Sequence, residues 1–144
     1  MTNERFRLEE AVLAHYLPKN MFRFRDMNTS SPYLEVGVVT NDGACYVLNF
    51  RLEGFPSVKQ NVYVEEMLRN YSGGLMDSVS YDNHTLTPWN GWTQLCHYND
   101  KCWTTDVSLW KVYLKCRLWL EMYRAHLRTG KTLTYYLNHQ QENE

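Results

Sequence analysis

Cysteine thiols are the side chains of this sequence best suited to covalent chemistry, and two of them share one short stretch. Cys96 and Cys102 lie within residues 90–103, which are rich in Gly, Asn and Asp and follow Pro88 and Trp89. That composition is typical of an ordered loop rather than of a helix. A thiol on such a loop is a candidate nucleophile when its thiolate is accessible and stabilised. The alternative is that Cys96 packs as a small apolar residue.

The remaining thiols are expected to be shielded. Cys45 lies in a strand-like run and Cys116 in the apolar stripe of a helix. Cys102 is a competing candidate nucleophile in the same loop as Cys96, but it directly precedes Trp103, which is expected to shield it. A zinc site is a further interpretation, and its ligands would be Cys96, Cys102, His84 and His97. Because the Cys-x-x-Cys pairs of structural zinc sites are missing, we expect no metal and no other cofactor.

A helical pattern at the start of the chain is the first element that could support this region. Residues 4–17 carry a broad apolar face, and Pro18 ends the pattern. The charged side chains that we expect on its solvent side are Arg5, Arg7, Glu9 and Glu10.

The clearest helical pattern follows the candidate loop. It covers residues 107–129, with Asp106 or Ser108 as the capping residue and Gly130 as the residue that ends it. Its apolar stripe, which we expect to pack on a sheet, consists of Leu109, Val112, Tyr113, Cys116, Trp119, Leu120, Tyr123 and Leu127.

Strand patterns fill the chain between the two helices. Alternating or apolar runs predict strands at residues 21–25, 33–40, 44–52 and 58–64, and the Asn-Asp-Gly at 41–43 predicts a hairpin turn. The result is a four-stranded antiparallel meander. The remaining predictions are a short helical turn at 65–71, an irregular loop at 81–96, and a strand or helix at 132–137. His84, within the irregular loop, is expected to order it through hydrogen bonds.

Length and composition indicate one domain. The chain has 144 residues, and we expect a single domain over 1–138 with a disordered tail at 139–144. With 15 basic and 16 acidic residues, no basic surface points to nucleic acid. No apolar run is long enough to cross a membrane, and the first residues lack a signal peptide. We therefore expect a cytoplasmic protein with reduced thiols.

Taken together, these features resemble the ubiquitin-conjugating enzyme family. The likeness covers about residues 4–133 and is carried by the 55–64 segment, Phe-Pro-Ser-Val-Lys-Gln-Asn-Val-Tyr-Val, and then by His84, Asn90-Gly91, Leu95-Cys96 and Trp103. Residues 119–131 are similar to the bacterial branch that is found with ubiquitin-like antiviral defence operons. The resemblance implies an α+β ubiquitin-conjugating-enzyme-like fold: an N-terminal helix, a four-stranded meander, an irregular active-site loop and a long C-terminal helix.

The same resemblance implies a function. Cys96 would carry the C-terminal glycine of a ubiquitin-like modifier as a thioester and pass it to an amine. The implied partners are the modifier, its activating enzyme and an acceptor protein. The implied assisting residues are His84 as the loop histidine, Asn83 or Asn90 as the oxyanion donor, and Asp100 or Asp106 as the carboxylate that assists the amine.

Departures from the family's motifs support an alternative function. The family's His-Pro-Asn triplet is missing, and Asn83 here precedes His84. Gln60 and Thr104 stand where the family has prolines. The alternative is a catalytically inactive member of the same fold that binds a ubiquitin-like protein or another partner as a scaffold.

Overall fold

The part of the chain that the structure describes combines three α-helices with one antiparallel sheet. The computed structural model describes residues 1–97 and 100–142. In chain order the elements are α1 (Asn3–Tyr16), β1 (Phe22–Arg25), β2 (Tyr33–Val39), β3 (Cys45–Arg51), β4 (Val62–Val64), β5 (Thr85–Trp89), β6 (Trp92–Leu95), α2 (Leu109–Thr129) and α3 (Leu133–Glu142), with 3-10 turns at Lys19–Met21 and Asp100–Cys102. The strands lie in the order β1-β2-β3-β4-β6-β5. The predicted α+β class is therefore confirmed.

The four-stranded meander is also confirmed. Each of the first four strands pairs antiparallel with the next, with Val36 opposite Leu48 and Phe50 opposite Val62. These four side chains are fully buried on one face of the sheet. Gly43 in the β2–β3 turn has a φ of 86°, which glycine adopts without strain. The fourth strand is shorter than predicted, because it begins at Val62 rather than near residue 58.

The prediction of an irregular loop over residues 81–96 is wrong for most of that range. β5 and β6 form a hairpin whose two-residue turn is Asn90-Gly91, with φ values of 58° and 75°. Positive φ at both central residues is what a tight hairpin turn requires. Pro88 weakens the strand signal in the sequence, but β5 is an edge strand and Pro88 lies at its register irregularity. A proline that cannot donate to a ladder is tolerated there.

Residues 65–71 do not form the predicted helical turn. The buried hydroxyl of Thr93 on β6 organises this segment instead, because it accepts from Leu68 N–H at 2.9 Å and donates to the Met76 carbonyl at 3.0 Å. Thr93 is fully buried. The Leu68 N–H therefore bonds to a side chain from β6 and not to a backbone carbonyl of its own segment, as it would in a helical turn.

Helix α2 forms as predicted and its apolar stripe enters the core. Ser108 is the cap, since its hydroxyl accepts from Lys111 N–H at 3.1 Å, and Gly130 ends the helix with a φ of 78°. The predicted stripe is buried from Leu109 to Tyr123, while Leu127 is half-buried against the core. The core joins α2 to the inner side chains of the sheet.

One charge of α1 is not on the solvent side, as expected, but buried. Glu9 is 2% exposed, and its carboxylate accepts from the Leu109 N–H at 2.9 Å and pairs with Arg5 at 2.9 Å. The carboxylate therefore occupies the N-terminus of α2, where an unpaired N–H and the helix dipole both favour an anion.

Helix α3 resolves the prediction for residues 132–137. The segment is helical, and the helix continues to Glu142, into the range for which composition predicts a disordered tail. Residues 143 and 144 lie outside the described residues. Leu133 in the first turn of α3 is fully buried in the common core.

Replacing Trp119 tests this packing. Trp119 is 2% exposed, so Trp119→Ala should lower the free energy of unfolding by about 3–5 kcal/mol because it leaves a large cavity. Chemical denaturation measures the change. Leu114→Ala is the matched control, because Leu114 lies on the same helix but is 44% exposed. An unfolding free energy equal to that of Leu114→Ala would show that Trp119 is not a core residue.

Candidate active site

Cys96 lies at the end of β6, in direct backbone contact with the residue that precedes β5. Thr85 pairs with Leu95, and the Cys96 N–H donates to the His84 carbonyl at 2.9 Å. The hairpin ladder is thus extended by one step beyond the strands. The position of the Cys96 backbone is fixed by this bond, while its side chain remains partly exposed.

A tight turn at residues 81–84 presents that carbonyl. The turn is closed by two backbone bonds between Ser80 and Thr85, at 3.1 and 3.2 Å. His84 has a φ of 53°, in the left-handed region. Its carbonyl also accepts from the Trp119 ring N–H at 2.9 Å. The turn is therefore fixed both to the hairpin and to the core helix α2.

The His84 ring is a structural group of this turn, in line with the expectation that it orders the segment. Its Nε2 lies 3.0 Å from the Thr134 hydroxyl of α3. Burial lowers the pKa of His84, and the charge of Asp82 opposes that effect only in part. The ring is consequently favoured in its neutral form.

The chain after Cys96 is anchored to the segment before β4. The Trp103 ring N–H donates to the Pro56 carbonyl at 3.0 Å, and Lys59 forms an ion pair with Asp100 at 2.6 Å. His97 Nε2 lies 2.9 Å from the carbonyl of Gln60, and a carbonyl only accepts, so this nitrogen carries the hydrogen. These contacts fix the chain on both sides of residues 98 and 99, which are outside the described residues.

Exposure separates the four thiols, and it corrects two predictions. Cys116 is fully buried, and burial raises its pKa strongly. Cys96 is partly exposed, whereas Cys45 and Cys102 are exposed. Cys45 does not pack because it lies on the outer face of β3, and Cys102 is not shielded by Trp103 because that ring turns toward Pro56. Exposure alone therefore does not single out Cys96.

The two candidate oxyanion donors lie at different distances from Cys96. Asn83 is the neighbour of His84, in the turn that Cys96 contacts. Its side-chain oxygen is buried without a hydrogen-bond partner in the described part of the chain. Asn90 lies in the hairpin turn, at the opposite end of β6 from Cys96. Asn83 therefore belongs to the turn whose backbone Cys96 contacts, whereas Asn90 lies at the other end of the strand.

Neither candidate carboxylate is shown at the thiol. Asp100 is exposed and pairs with Lys59, whose hydrogen bond and charge lower the pKa of Asp100. Asp106 is exposed in the turn before α2, where its N–H donates to the Thr104 hydroxyl at 3.4 Å. Asp100 nevertheless lies in the anchored chain after Cys96, whereas Asp106 is a further six residues along.

Sequence reasoning missed a pair of hydrogen-bonded carboxyls on the outer face of the sheet. Burial, and then the hydrogen bond to Glu35, raises the pKa of Glu65 to about 7. Glu35 pairs with Arg25 at 2.7 Å, and Glu65 accepts from the Asn49 amide at 2.9 Å. Strand register would have been the signal for this pair, because Glu35 lies opposite Asn49, and the Asn49 amide is the group that donates to Glu65. Glu65 follows the end of β4 that is remote from Cys96, so this pair is not part of the candidate site.

Metal binding gains no support from the geometry. Within residues 1–97 and 100–142, no three His, Cys, Asp or Glu side chains are grouped so that they could hold a metal ion. In this part of the chain, the thiols and histidines near Cys96 therefore do not form the predicted zinc site.

Comparisons with known proteins do not assign this site. No family model, curated protein or solved structure matches the chain. The resemblance to ubiquitin-conjugating enzymes stays a prediction. In the described part of the chain, no helix is long and apolar enough to cross a membrane.

The His97 ring gives the anchored loop a pH-dependent stability. Burial lowers the pKa of His97 to about 4, whereas the unfolded chain has a value near 6.5. The unfolded state therefore binds the proton first, so stability present above about pH 6.5 is lost as the pH falls toward 4.

We expect His97→Asn, which cannot titrate here, to reduce this loss. Between pH 6.5 and 4 the free energy of unfolding of the wild type should fall more steeply, by up to about 1.4 kcal/mol per pH unit. Denaturation at several pH values measures both slopes. Parallel slopes for the two proteins would contradict the buried, neutral state of His97.

Proposed function

We propose that this protein is a ubiquitin-conjugating-like acyl transferase that carries a ubiquitin-like modifier on Cys96. The observation that carries the proposal is the backbone bond from Cys96 to His84, which places a partly exposed thiol beside the Asn83-His84 turn. The order of helix, four-stranded meander, hairpin ending in the cysteine, and long helix supports the same fold family. A bacterial antiviral defence pathway is the proposed setting, by the likeness of residues 119–131.

Two acyl exchanges make up the proposed reaction. The Cys96 thiolate attacks the carbonyl of the modifier's thioester on the activating enzyme, an S–C bond forms, and the activating enzyme's thiolate leaves. An acceptor amine then attacks the same carbonyl, a C–N bond forms, and the Cys96 thiolate leaves while the amine proton passes to solvent. Neither step requires a cofactor on this chain.

Residues around Cys96 would serve the second exchange. The tetrahedral intermediate has a negative oxygen, which an amide donor can stabilise. Asn83 is the proposed donor because its turn is fixed to Cys96, to α2 and to α3. Asp100 is the proposed carboxylate, because the Lys59 ion pair fixes the chain that bears it and the pKa of Asp100 is lowered.

Two placements favour the scaffold as a second candidate function. Asn90 is remote from Cys96, and the side-chain oxygen of Asn83 is buried. A scaffold would bind a ubiquitin-like protein with the same fold without acquiring the modifier on a thiol.

Charging assays on variants in which one cysteine is replaced separate the two functions. The assay contains ATP and the activating enzyme and ubiquitin-like modifier that are cognate to this protein. Under these conditions the wild type should form an adduct that a reducing agent cleaves. Cys96→Ala should form none, because the acylated sulfur is missing. Cys96→Ser should form a more stable oxyester, since an alkoxide is a poorer leaving group than a thiolate. Gel electrophoresis with and without reductant measures each adduct.

Cys102→Ala is the matched control for this assay. Cys102 is more exposed than Cys96 and lies in the same stretch, so it tests whether exposure alone selects the thiol. It should charge like the wild type. If charging is lost in Cys102→Ala and kept in Cys96→Ala, the modifier is carried by Cys102 and the proposal is wrong. An uncharged wild type would favour the scaffold.

The two asparagines can be separated by their effect on the second exchange. Asn83→Ala should slow discharge to an amine such as free lysine by about 10²–10³-fold, in the range for loss of one oxyanion donor. Charging itself should change less. Asn90→Gly removes the other amide and keeps the positive φ that its turn requires, so its discharge should match the wild type. The reverse order of effects would assign the donor to Asn90.

A further inference from the structure

The first turn of α3 is bonded to the turn that Cys96 contacts. The Thr134 N–H donates to the Asp82 carbonyl at 2.9 Å, and the Thr134 hydroxyl donates to the Tyr81 carbonyl at 3.1 Å. The same hydroxyl lies 3.0 Å from His84 Nε2. One residue near the end of the chain thus reaches three residues of the 81–84 turn.

Hydrogen counting gives the direction of the last bond. The Tyr81 carbonyl can only accept, and a hydroxyl has one hydrogen to donate. The Thr134 hydroxyl therefore donates to Tyr81 and accepts from His84. His84 must carry its ring hydrogen on Nε2, which leaves Nδ1 as the nitrogen with the lone pair.

The backbone of His84 is the element that needs such support. A φ of 53° is an unfavourable conformation for a residue with a side chain and persists when surrounding contacts impose it. Its carbonyl accepts from Cys96 and from Trp119, and its ring donates to Thr134. Loss of the Thr134 bond would remove the hydrogen bond that holds the His84 side chain and would allow the turn to relax.

The position of Thr134 is itself fixed. Leu133 before it is fully buried in the core. The connection from α2 is tied by the His126 Nδ1 contact with the Lys131 carbonyl, at 2.8 Å. Leu133 and Lys131 both precede Thr134 in the chain. The position of the Thr134 hydroxyl is therefore set by these contacts with the core and α2, and not by the later turns of α3.

We propose that Thr134 is a positioning residue, which fixes His84 and, through the His84 carbonyl, sets the placement of the Cys96 thiol. The role rests on the proposed function, since it matters most where Cys96 is acylated. Thr134 touches no reacting atom in this account. Thr134 holds the 81–84 turn through its hydrogen bonds, and the turn holds Cys96 through the His84 carbonyl.

Two substitutions separate the hydroxyl from the shape of the side chain. Thr134→Val replaces the hydroxyl with a methyl group of similar size, and Thr134→Ser keeps the hydroxyl. Both are placed in a Cys45→Ser, Cys102→Ser background, so that Cys96 is the thiol that a small reagent reaches while Cys116 is buried. Circular dichroism and thermal unfolding confirm that each variant is folded.

Three measurements then follow the proposed chain of contacts. In the NMR spectrum, the His84 Nε2–H signal should be visible in the parent and in Thr134→Ser, and lost to exchange with water in Thr134→Val. Alkylation of Cys96 by iodoacetamide should become several-fold faster in Thr134→Val, because a loosened turn exposes the thiol. Charging with the modifier should fall by about tenfold or more, because the thiol is no longer held for attack. Thr134→Ser should restore both rates.

The first two measurements do not depend on acyl transfer, so the two proposals fail separately. A parent protein that does not charge, together with altered alkylation and NMR signals in Thr134→Val, would overturn the proposed function and leave the positioning role in place. Folded Thr134→Val with the parent's alkylation rate and Nε2–H signal would overturn the positioning role, whatever the charging result. Equal defects in Thr134→Val and Thr134→Ser would also overturn it, since the hydroxyl would then not matter.

Discussion

The carbonyl oxygen of His84 is the acceptor on which the candidate site depends. It receives the Cys96 N–H from the end of the hairpin and the Trp119 ring N–H from the core helix, both at 2.9 Å. Each such bond contributes on the order of 1 kcal/mol net, while a left-handed residue with a side chain costs about 1–3 kcal/mol. The two terms are of similar size, so the turn keeps its conformation only while its neighbours remain in place. The thiol is therefore positioned by the hydrophobic core as well as by its own strand.

The placement of α2 in turn depends on a buried charge. Glu9 of α1 accepts from the first N–H of α2 and pairs with Arg5, which itself donates to the carbonyls of Thr105 and Val107 at 2.6 and 3.1 Å. This network fixes the start of α2, ten residues before Trp119. A helix advances about 1.5 Å per residue, so a shift at its start would be transmitted along a rigid rod to the Trp119 ring. The N-terminal helix thus contributes to the cysteine site without touching it.

Sequence periodicity was enough to predict the elements whose partners are local. Helix α2 followed from its 3.6-residue apolar stripe and its caps, and the first hairpin from Gly43. The β5–β6 hairpin was missed although Asn90-Gly91 carries the same turn signal, because Pro88 argues against a strand unless its place at an irregular edge is known. Glu9 was misplaced for a related reason. Its burial depends on a helix a hundred residues later in the chain, and no local pattern encodes that contact.

In the candidate site, too, features that depend on contacts between distant segments could not be predicted from the sequence. Loop composition and the resemblance to ubiquitin-conjugating enzymes pointed to Cys96 and His84, whereas nothing in the sequence pointed to Thr134, because its role arises only when α3 packs beside the 81–84 turn. Exposure of Cys102 was also beyond the sequence, since it depends on the Trp103 ring turning toward Pro56. Residues that act through tertiary contacts of the backbone carry no distinctive local signal.

The most direct test of the account is the location of the acyl group on the charged protein. After incubation with modifier, activating enzyme and ATP, peptic digestion at low pH keeps a thioester intact, and mass spectrometry of the peptides locates it. We predict that the modifier's C-terminal residues will be found on the peptide that contains Cys96. Their presence on the peptide of Cys102 or of Cys45, or the absence of any modified cysteine, would contradict it.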